Sequence, residues 1–573
     1  MRILGLHING AQTSAALLDD GRIVAGIAEE RLNREKQSSA FPRRAARWCL
    51  DAAGLASAAD LEAIAVSWNP TQSYSFGGSS LASWRGIVDR MAHAPENISS
   101  LLSKQALQEV TASRLGFSPG ASPEVYFVDH HLSHLAMAKY QSPFEDAAVM
   151  VADEYSERNS FLFAELRGNQ LRTLRTLPFP HSLGILYATF TEFLGFRPNS
   201  DEWKVMGAAA LGDRQRYAKR IRELVSFDAR TMDFELDLNY FEFPNTRMPG
   251  YSSDKLDRHL GLARPEGELL SAHYDLAASV QQVFEDLLFD MLRWLHAQTG
   301  AINLAAAGGC FMNSLANGKI LANTPFEHLF VPYAAADNGG AVGAALWTYH
   351  QLLGKVHVPT TSAPSALIGP AYSDDEIEST LIRFKIPYQR VADPIPPTLD
   401  ALLGGRIVGW FQGAMEFGER ALGARSILAD PRDAAMKDRI NSAVKYREAF
   451  RPFAPSILAH RAAEWFEIPE GVRVPYMEQV YPFRSDKRAA VPAVVHHDGT
   501  GRLQTVEQAD NPIYWRLLSA FEAATGVPIV LNTSFNVQGE AIVCSPADAI
   551  RTFFTSGLDV LVIGSCIVSK SGR

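Results

Sequence analysis

Two stretches of this chain share one succession of elements, and that repeat narrows the fold more than any other feature. Near the N-terminus, Ile3–Leu6 is apolar, the loop "HINGAQT" follows, Ser14–Leu18 is apolar, "DDG" turns, and Ile23–Ile27 returns. The same order recurs at Ala147–Ala152, the polar "DEYSERN", Phe161–Leu166, the turn "GNQ" and a strand near Leu171–Leu174. This is a weak internal repeat. It suits a two-lobed α/β fold that grips a phosphate between duplicated halves. On pattern alone, two unrelated hairpins read equally well.

Helical stretches follow each copy. Residues 271–300 carry apolar side chains at helical spacing and close on Gly300. "AINLAAAGGCFMNSLANGKIL" then reads as strand, Gly-rich turn and helix, and "ADNGGAVGAAL" as loop, Gly-Gly and helix. Glycines between a strand and a helix let a phosphate approach backbone N–H groups at the helix start. Gly308, Gly309, Asn313 and Gly339 are therefore candidate nucleotide contacts. At 573 residues the chain is long for one domain. A Pro/Ser/Thr-rich stretch without periodicity at 356–375 reads as the linker. It divides a first domain, 1–355, from a second α/β domain, 376–573. The second opens with a helix at Asp375–Phe384 and has strands at Ile407–Phe411, Ile529–Leu531 and Val560–Ile563.

"VDHHLSHLA" sets three of the chain's 15 histidines within five positions. Asp129 can cap the helix they start. His130 and His134 are one turn apart on one face, so both can ligate one ion. No Glu stands beside the first histidine, as it does in HExxH proteases. Asp153 ends an apolar run and Asp337 precedes Gly-Gly. A carboxylate at a strand mouth is a usual further ligand, and two His with two Asp suit Fe(II), Mn(II) or Zn(II). Capping and core histidines are the competing reading.

The second domain interleaves basic and apolar residues. Arg420, Arg425, Lys445, Arg447 and Arg451 fall among Gly, Phe, Pro and Ala, which suggests a folded anion pocket rather than a solvated face. "VLNTSFNVQGE" adds Asn532, Ser534 and Asn536 directly after a strand, where they can hold a nucleotide or a planar amide. "HHDGTGRLQTV" adds Arg502. Lys445, Arg451 and Asn532 are the catalytic candidates of this set, and the others are cofactor-binding candidates. The formal net charge of −9 argues against broad nucleic-acid binding. The cysteines, Cys49, Cys310, Cys544 and Cys566, form no CxxC pair, and a reducing, cytoplasmic setting fits. The N-terminus does not read as a signal peptide, and no stretch reaches the roughly 18 apolar residues a membrane span needs.

The longer motifs resemble a known family. "EERLNREK", "HHLSHLA", "HSLGILYATFTEFLGF", "EWKVMGAAALG", "AAAGGCFMNSLANGKI", "ADNGGAVGAAL", "VGWFQGAMEFGERALGARSILADPR", "KYREAFRPFAPSIL", "HHDGTGRLQTV" and "LNTSFNVQGEAIVCSPADA" are similar to the O-carbamoyltransferases of antibiotic and nodulation-factor biosynthesis. They cover nearly the whole chain in order. The resemblance implies a TsaD-like first domain of the actin/hsp70/sugar-kinase fold and a YrdC-like second domain. It implies that ATP and carbamoyl phosphate form carbamoyl adenylate in the second domain. The adenylate passes inside the protein to the first, where an acceptor hydroxyl of a small molecule attacks the carbamoyl carbon. It maps a divalent metal, Fe(II) first and Mg or Mn next, onto His130, His134, Asp153 and Asp337. It allows a homodimer and implies neither a membrane nor a nucleic-acid partner.

The chain departs from the family's usual text in three places. Its first hairpin loop usually carries His-Asp, and this chain has Ala11-Gln12, which points to a base or acceptor contact moved to His7 or Asn9. Glu419 and Ala541 each stand where proline is usual. The competing functions are a tRNA threonylcarbamoyl-transferring enzyme and a nucleotide-switch ATPase of the chaperone kind.

Overall fold

The structure, a computed structural model, describes residues 1–55, 60–69, 104–117, 123–242, 250–358, 363–445 and 451–570. They form two compact units. The first comprises Met1–Glu29, Ser39–Asn313 and Ile320–Pro364, and the second Glu30–Ser38, Ser314–Lys319 and Ser365–Arg573. Two short stretches from within the expected first domain thus belong to the second unit. So does the latter half of the expected linker. From Ser365 onward its backbone pairs with the loop after the strand Val408–Phe411, with Phe417 N donating to Ala366 O and Gly369 N to Met415 O. The following helix starts at Asp374, where Ser373 and Glu376 form a capping box.

The repeat is real. Strands β1 (Arg2–His7), β2 (Ser14–Asp19), β3 (Arg22–Ala28), β4 (Ala63–Val66) and β5 (Glu124–Phe127) form a sheet of order β3-β2-β1-β4-β5. The first three are antiparallel, and β4 and β5 run parallel to β1. The second sheet uses β6 (Ala147–Ala152), β7 (Asn159–Arg167), β8 (Gln170–Pro178), β11 (Asn303–Ala307) and β12 (His328–Phe330). Its order, β12-β11-β6-β7-β8, is the same succession with the same directions. A five-stranded sheet of this kind built twice is the duplicated actin/hsp70/sugar-kinase arrangement. An insert after β8 carries a two-stranded ribbon, β9 (Val225–Asp228) and β10 (Asp233–Leu236). Every residue of β6 is buried, as expected for a strand covered on both faces.

Three helices place the site. α1 is His130–Gln141, α2 is Ser271–Thr299 and α3 is Gly340–Trp347. α2 ends at Gly300 in the left-handed conformation, as the sequence predicts. α3 packs against α1 and β1 at backbone distance. A Cβ at Gly343 would lie 1.9 Å from Ser133 O, so only glycine lets α3 seat on the helix that carries both histidines. Among the described residues, no helix is long and apolar enough to cross a membrane.

The second unit is built on a nine-stranded mixed sheet of order β13-β21-β20-β14-β15-β19-β16-β18-β17. These strands are β13 (Gln389–Arg390), β14 (Val408–Phe411), β15 (Arg425–Ala429), β16 (Ala454–Leu458), β17 (Gln479–Pro482), β18 (Thr500–Val506), β19 (Ile529–Ser534), β20 (Val560–Ile563) and β21 (Cys566–Ser569). Its core runs from Trp410 and Ile427 through Tyr514 and Leu531 to Val562, all fully buried.

One cluster in the first unit makes stability depend on pH. Tyr140 stacks on His350 at 4.2 Å and meets His357 edge-on at 5.0 Å, with Lys139 Nζ 4.7 Å from the Tyr140 ring centre. Burial lowers the His350 pKa and pushes His357 down to about 4, and the Lys139 charge acts in the same direction on both. The folded state therefore holds these rings neutral while the unfolded chain protonates them near 6.5. Their contribution is intact above pH 6.5 and is lost as pH falls toward 4. Thermal melts should show a midpoint that drops over that window, with a shallower drop in His357→Asn. An identical acid slope in the variant would refute this assignment.

Candidate metal centre

The four donors expected from the sequence converge. Asp129 caps α1, its Oδ1 accepting from His131 N at 3.0 Å and Leu132 N at 3.4 Å. This fixes the first turn, from which His130 and His134 project together. Asp153 follows β6 directly and Asp337 precedes α3. One ligand atom from each lies within 4.8 Å of the others. His134 Nε2 is 3.0 Å from Asp153 Oδ2 and 3.6 Å from Asp337 Oδ1. His130 Nε2 is 3.3 Å and 3.4 Å from the same two atoms. The two Nε2 atoms are 3.2 Å apart.

This donor set fits a metal. Ligands sharing one first-row ion at about 2.1 Å stand about 3.0–3.4 Å from each other, and four of these spacings match while His134 to Asp337 is slightly wider at 3.6 Å. Two nitrogens and two carboxylate oxygens suit Fe(II), Mn(II) or Zn(II) and do not choose among them. The remaining polar atoms orient the ligands. His130 Nδ1 faces Ser67 O at 3.3 Å. Asp153 Oδ1 accepts from Glu154 N at 2.8 Å and Gly309 N at 3.2 Å, which leaves Oδ2 to the imidazoles. A Cβ at Gly309 would sit 2.8 Å from Asp153 Oδ1, so glycine is needed for that contact. The Asp337 side chain keeps 34% of its surface exposed while the other three are buried, so the centre has one open side. An open position is what a catalytic centre needs and a structural one lacks.

Burial alone would lower the pKa of His130. The carboxylates of Asp337 and Asp153 outweigh it and hold His130 well above the usual histidine range. His134 is raised too, burial again being overcome by the hydrogen bonds to Asp153 and Asp337. Burial works against the charged form of Asp337 as well, yet the histidines hold its carboxyl well below the usual range. Two imidazoles facing two carboxylates retain protons or exchange them for a cation.

The first hairpin loop borders this centre. His7, at the end of β1, is buried, with Nδ1 2.8 Å from Ser67 Oγ and Nε2 3.7 Å from Asp337 Oδ2. A Cβ at Gly10 would lie 4.0 Å from Asp337 Oδ2, and Gln12 adopts a left-handed φ of 63°. The Ala11-Gln12 departure directly follows the glycine that approaches Asp337. Ser67 was missed by the sequence reading. It is an ordinary serine after a short strand, and only the fold brings its hydroxyl to His7 and its carbonyl to His130.

The other candidates of the first unit have these surroundings. Gly308, with φ 101°, follows β11 against Ala152 O, and Gly339 lies against Ala334 O. Asn313 exchanges two amide hydrogen bonds with Gln281 of α2, at 2.9 and 3.1 Å. Both of its polar atoms are engaged by that helix.

In the second unit, Lys445, Ser534 and Asn536 meet. Lys445 Nζ donates to Ser534 O at 2.6 Å and to Asn536 O and Oδ1 at 2.9 Å each. Asn532 is buried on β19, with Nδ2 donating to Ser456 Oγ, Gln504 Oε1 and Ala421 O, while its Oδ1 has no protein partner. Arg425 binds backbone carbonyls of its own unit. It is fully buried over the Phe411 ring, and its terminal nitrogens donate to the carbonyls of Gln412, Gly413, Ala424 and Pro370. A guanidinium spent on four carbonyls ties loops together. Arg420 is half-buried beside Glu419, Arg502 stands half-buried on β18 and Arg451 half-buried just before β16. Arg447 lies outside the described residues. Glu416, within the quoted "EFGERALG", drew no role from the sequence. Its Oε1 accepts from Leu422 N, Ala424 N and Arg425 N at 2.7, 2.7 and 3.1 Å, which shapes the loop that bears Arg420.

Comparison with known proteins accounts for both units. Residues 2–346 match the family model of the carbamoyltransferase N-terminus, and residues 399–570 that of the carbamoyltransferase C-terminus. An uncharacterized protein of Synechocystis sp. is 35% identical over 100% of this chain and 97% of its own length. The nodulation protein NolNO of Sinorhizobium fredii is 37% identical over 97% of this chain and 78% of its own length. The 3'-hydroxymethylcephem-O-carbamoyltransferase of Streptomyces clavuligerus is 26% identical over 97% of this chain and 96% of its own length. The motifs that run through both units thus have one common source: the chain belongs to the carbamoyltransferase family and is a carbamoyl-transferring enzyme.

Proposed function

We propose that this protein is an ATP-dependent O-carbamoyltransferase that moves the carbamoyl group of carbamoyl phosphate, through carbamoyl adenylate, to a hydroxyl of a small natural product. The convergence of His130, His134, Asp153 and Asp337 carries this reading, because its open side offers a place for an acyl phosphate. A metal held there would polarise that group and stabilise the oxyanion, a contribution of several kcal/mol. The chain's own residues do the rest. Asp129 and Ser67 hold the ligating imidazoles in register, and Gly309 N keeps Asp153 turned toward them. His7 lies beside Asp337, where an entering hydroxyl would be oriented.

The second unit is the adenylate-forming half. Lys445 supplies a fixed positive charge next to Ser534 and Asn536, suited to the phosphate of carbamoyl phosphate. Arg451, Arg420 and Arg502 are the further anion contacts, and Asn532, with an amide oxygen lacking a protein partner, suits the carbamoyl amide. Ala11-Gln12 removes the acidic side chain usual in the loop beside Asp337, so the acceptor is less basic than an aminoglycoside.

The test is an assay for pyrophosphate release that requires carbamoyl phosphate and ATP, followed by mass spectrometry of hydroxylated acceptors. Neutral acceptors should gain a carbamoyl group and polyamines should be poor substrates. Absence of carbamoyl-phosphate-dependent pyrophosphate release would refute the reading, and a preference for polyamines would refute the acceptor class. Transfer to tRNA would favour the threonylcarbamoyl alternative.

A further inference from the structure

Arg34 sits in "EERLNREK", a charged stretch whose function the metal centre does not absorb. It belongs to the excursion Glu30–Ser38, which is part of the second unit. Its own backbone is left-handed, with φ 68°, a region uncommon for a side chain of this size and held only where surrounding contacts impose it. Most of the guanidinium contacts go to one loop, with one further bond from Nη1 to Arg31 O at 3.4 Å and Asp548 standing on the helix that follows. Nη1 donates to Ile542 O at 2.6 Å, Nη2 to Ala541 O at 2.6 Å and to Glu540 Oε1 at 3.2 Å, and Nε lies 3.5 Å from Asp548 Oδ1.

That loop supplies two of the acceptors of Lys445, Ser534 O of β19 supplying the third, and its Glu540 is also held by Arg551 and Thr552. Asn536 Nδ2 donates to Glu540 O at 2.7 Å, and Val537 N to Glu540 Oε2 at 3.3 Å, so residues 536–540 form one hydrogen-bonded turn. The opposite side of Asn536, its O and Oδ1, receives Lys445 Nζ. Arg34 grips the turn at one end and Lys445 is seated at the other. A neighbouring contact runs the same way, with Arg31 Nη2 donating to Gly418 O in the loop that bears Arg420. We propose that Arg34 is a positioning residue for Lys445, acting through the 536–542 loop, so that a residue from the first tenth of the chain sets the geometry of adenylate formation. The inference rests on the role given to Lys445 above. Lysine cannot replace it fully, because a single ammonium cannot span adjacent carbonyls as a guanidinium fork does.

The full-length Arg34→Ala and Arg34→Lys proteins test this by hydrogen exchange and by pyrophosphate release. In Arg34→Ala, amide exchange should rise in residues 534–545 while the metal content of the first unit stays at the wild-type level. The turnover number for pyrophosphate release should fall at least thirtyfold with the KM for ATP changed less, and Arg34→Lys should recover part of it. Unchanged exchange in 534–545, or raised exchange with wild-type turnover, would overturn the proposal. If the wild-type protein releases no pyrophosphate, the adenylation reading itself fails, and an unchanged exchange pattern still refutes the link between Arg34 and the loop.

Discussion

His134→Ala should purify with most of its metal gone and with carbamoyl transfer reduced about a thousandfold. Three observations set that size. His134 is fully buried, its Nε2 stands 3.0 Å from Asp153 Oδ2, and no other described residue offers a donor within the four-residue cluster. Removing one of four donors opens a buried gap that a single water fills poorly, and it leaves Asp153 facing one imidazole rather than two. A Lewis acid supplies several kcal/mol at an acyl centre, and about 4 kcal/mol corresponds to about a thousandfold in rate. Metal analysis of the purified variant and a single-turnover transfer assay check both halves. Wild-type metal stoichiometry would show that the cluster is an ion-paired core and not a metal centre.

Lys445→Met and Asp337→Ala should fail in different ways. Lys445 is 5% exposed and makes three short bonds to Ser534 and Asn536, all within the second unit. Methionine keeps much of its volume and removes its charge. The anion it serves loses a charge-assisted contact, worth about 2–4 kcal/mol, so pyrophosphate release should fall about 30- to 1000-fold. Asp337→Ala touches only the first unit, so it should still release pyrophosphate while failing to carbamoylate the acceptor. Measuring pyrophosphate and carbamoylated product from each variant separates the half-reactions. Equal loss of both in both variants would place the chemistry in one shared site.

Much of this architecture is legible in local pattern because it is carried by local pattern. The apolar run at Ala147–Ala152 coincides with β6 to the residue, and the hairpins around it follow period and turn chemistry. The histidine pair is legible because helical spacing brings i and i+4 to one face. The rest is not local. "EERLNREK" is legible only as a family-like motif, and nothing nearby tells that Arg34 meets Glu540. Gly309 signals a close approach without saying to what, and the approach is to Asp153. Arg425 in "GARSIL" reads as part of an anion pocket, and nothing nearby tells that carbonyls of Pro370, Gln412 and Gly413 surround it.

The excursion at 30–38 also governs how the chain must be made. Arg34 leaves the ribosome early, while its partner Ile542 is 508 residues further on. For nearly the whole of translation its guanidinium stays solvated, and the turn it grips does not yet exist. The second unit therefore completes itself only when synthesis is all but finished, by recruiting a piece laid down at the start. A gene cut at the stretch between Pro364 and Ser365 would give a C-terminal product lacking residues 30–38 and 314–319, with the Ala541 and Ile542 carbonyls left to water. Division of labour between two separately encoded subunits is closed to this chain unless the break is placed elsewhere.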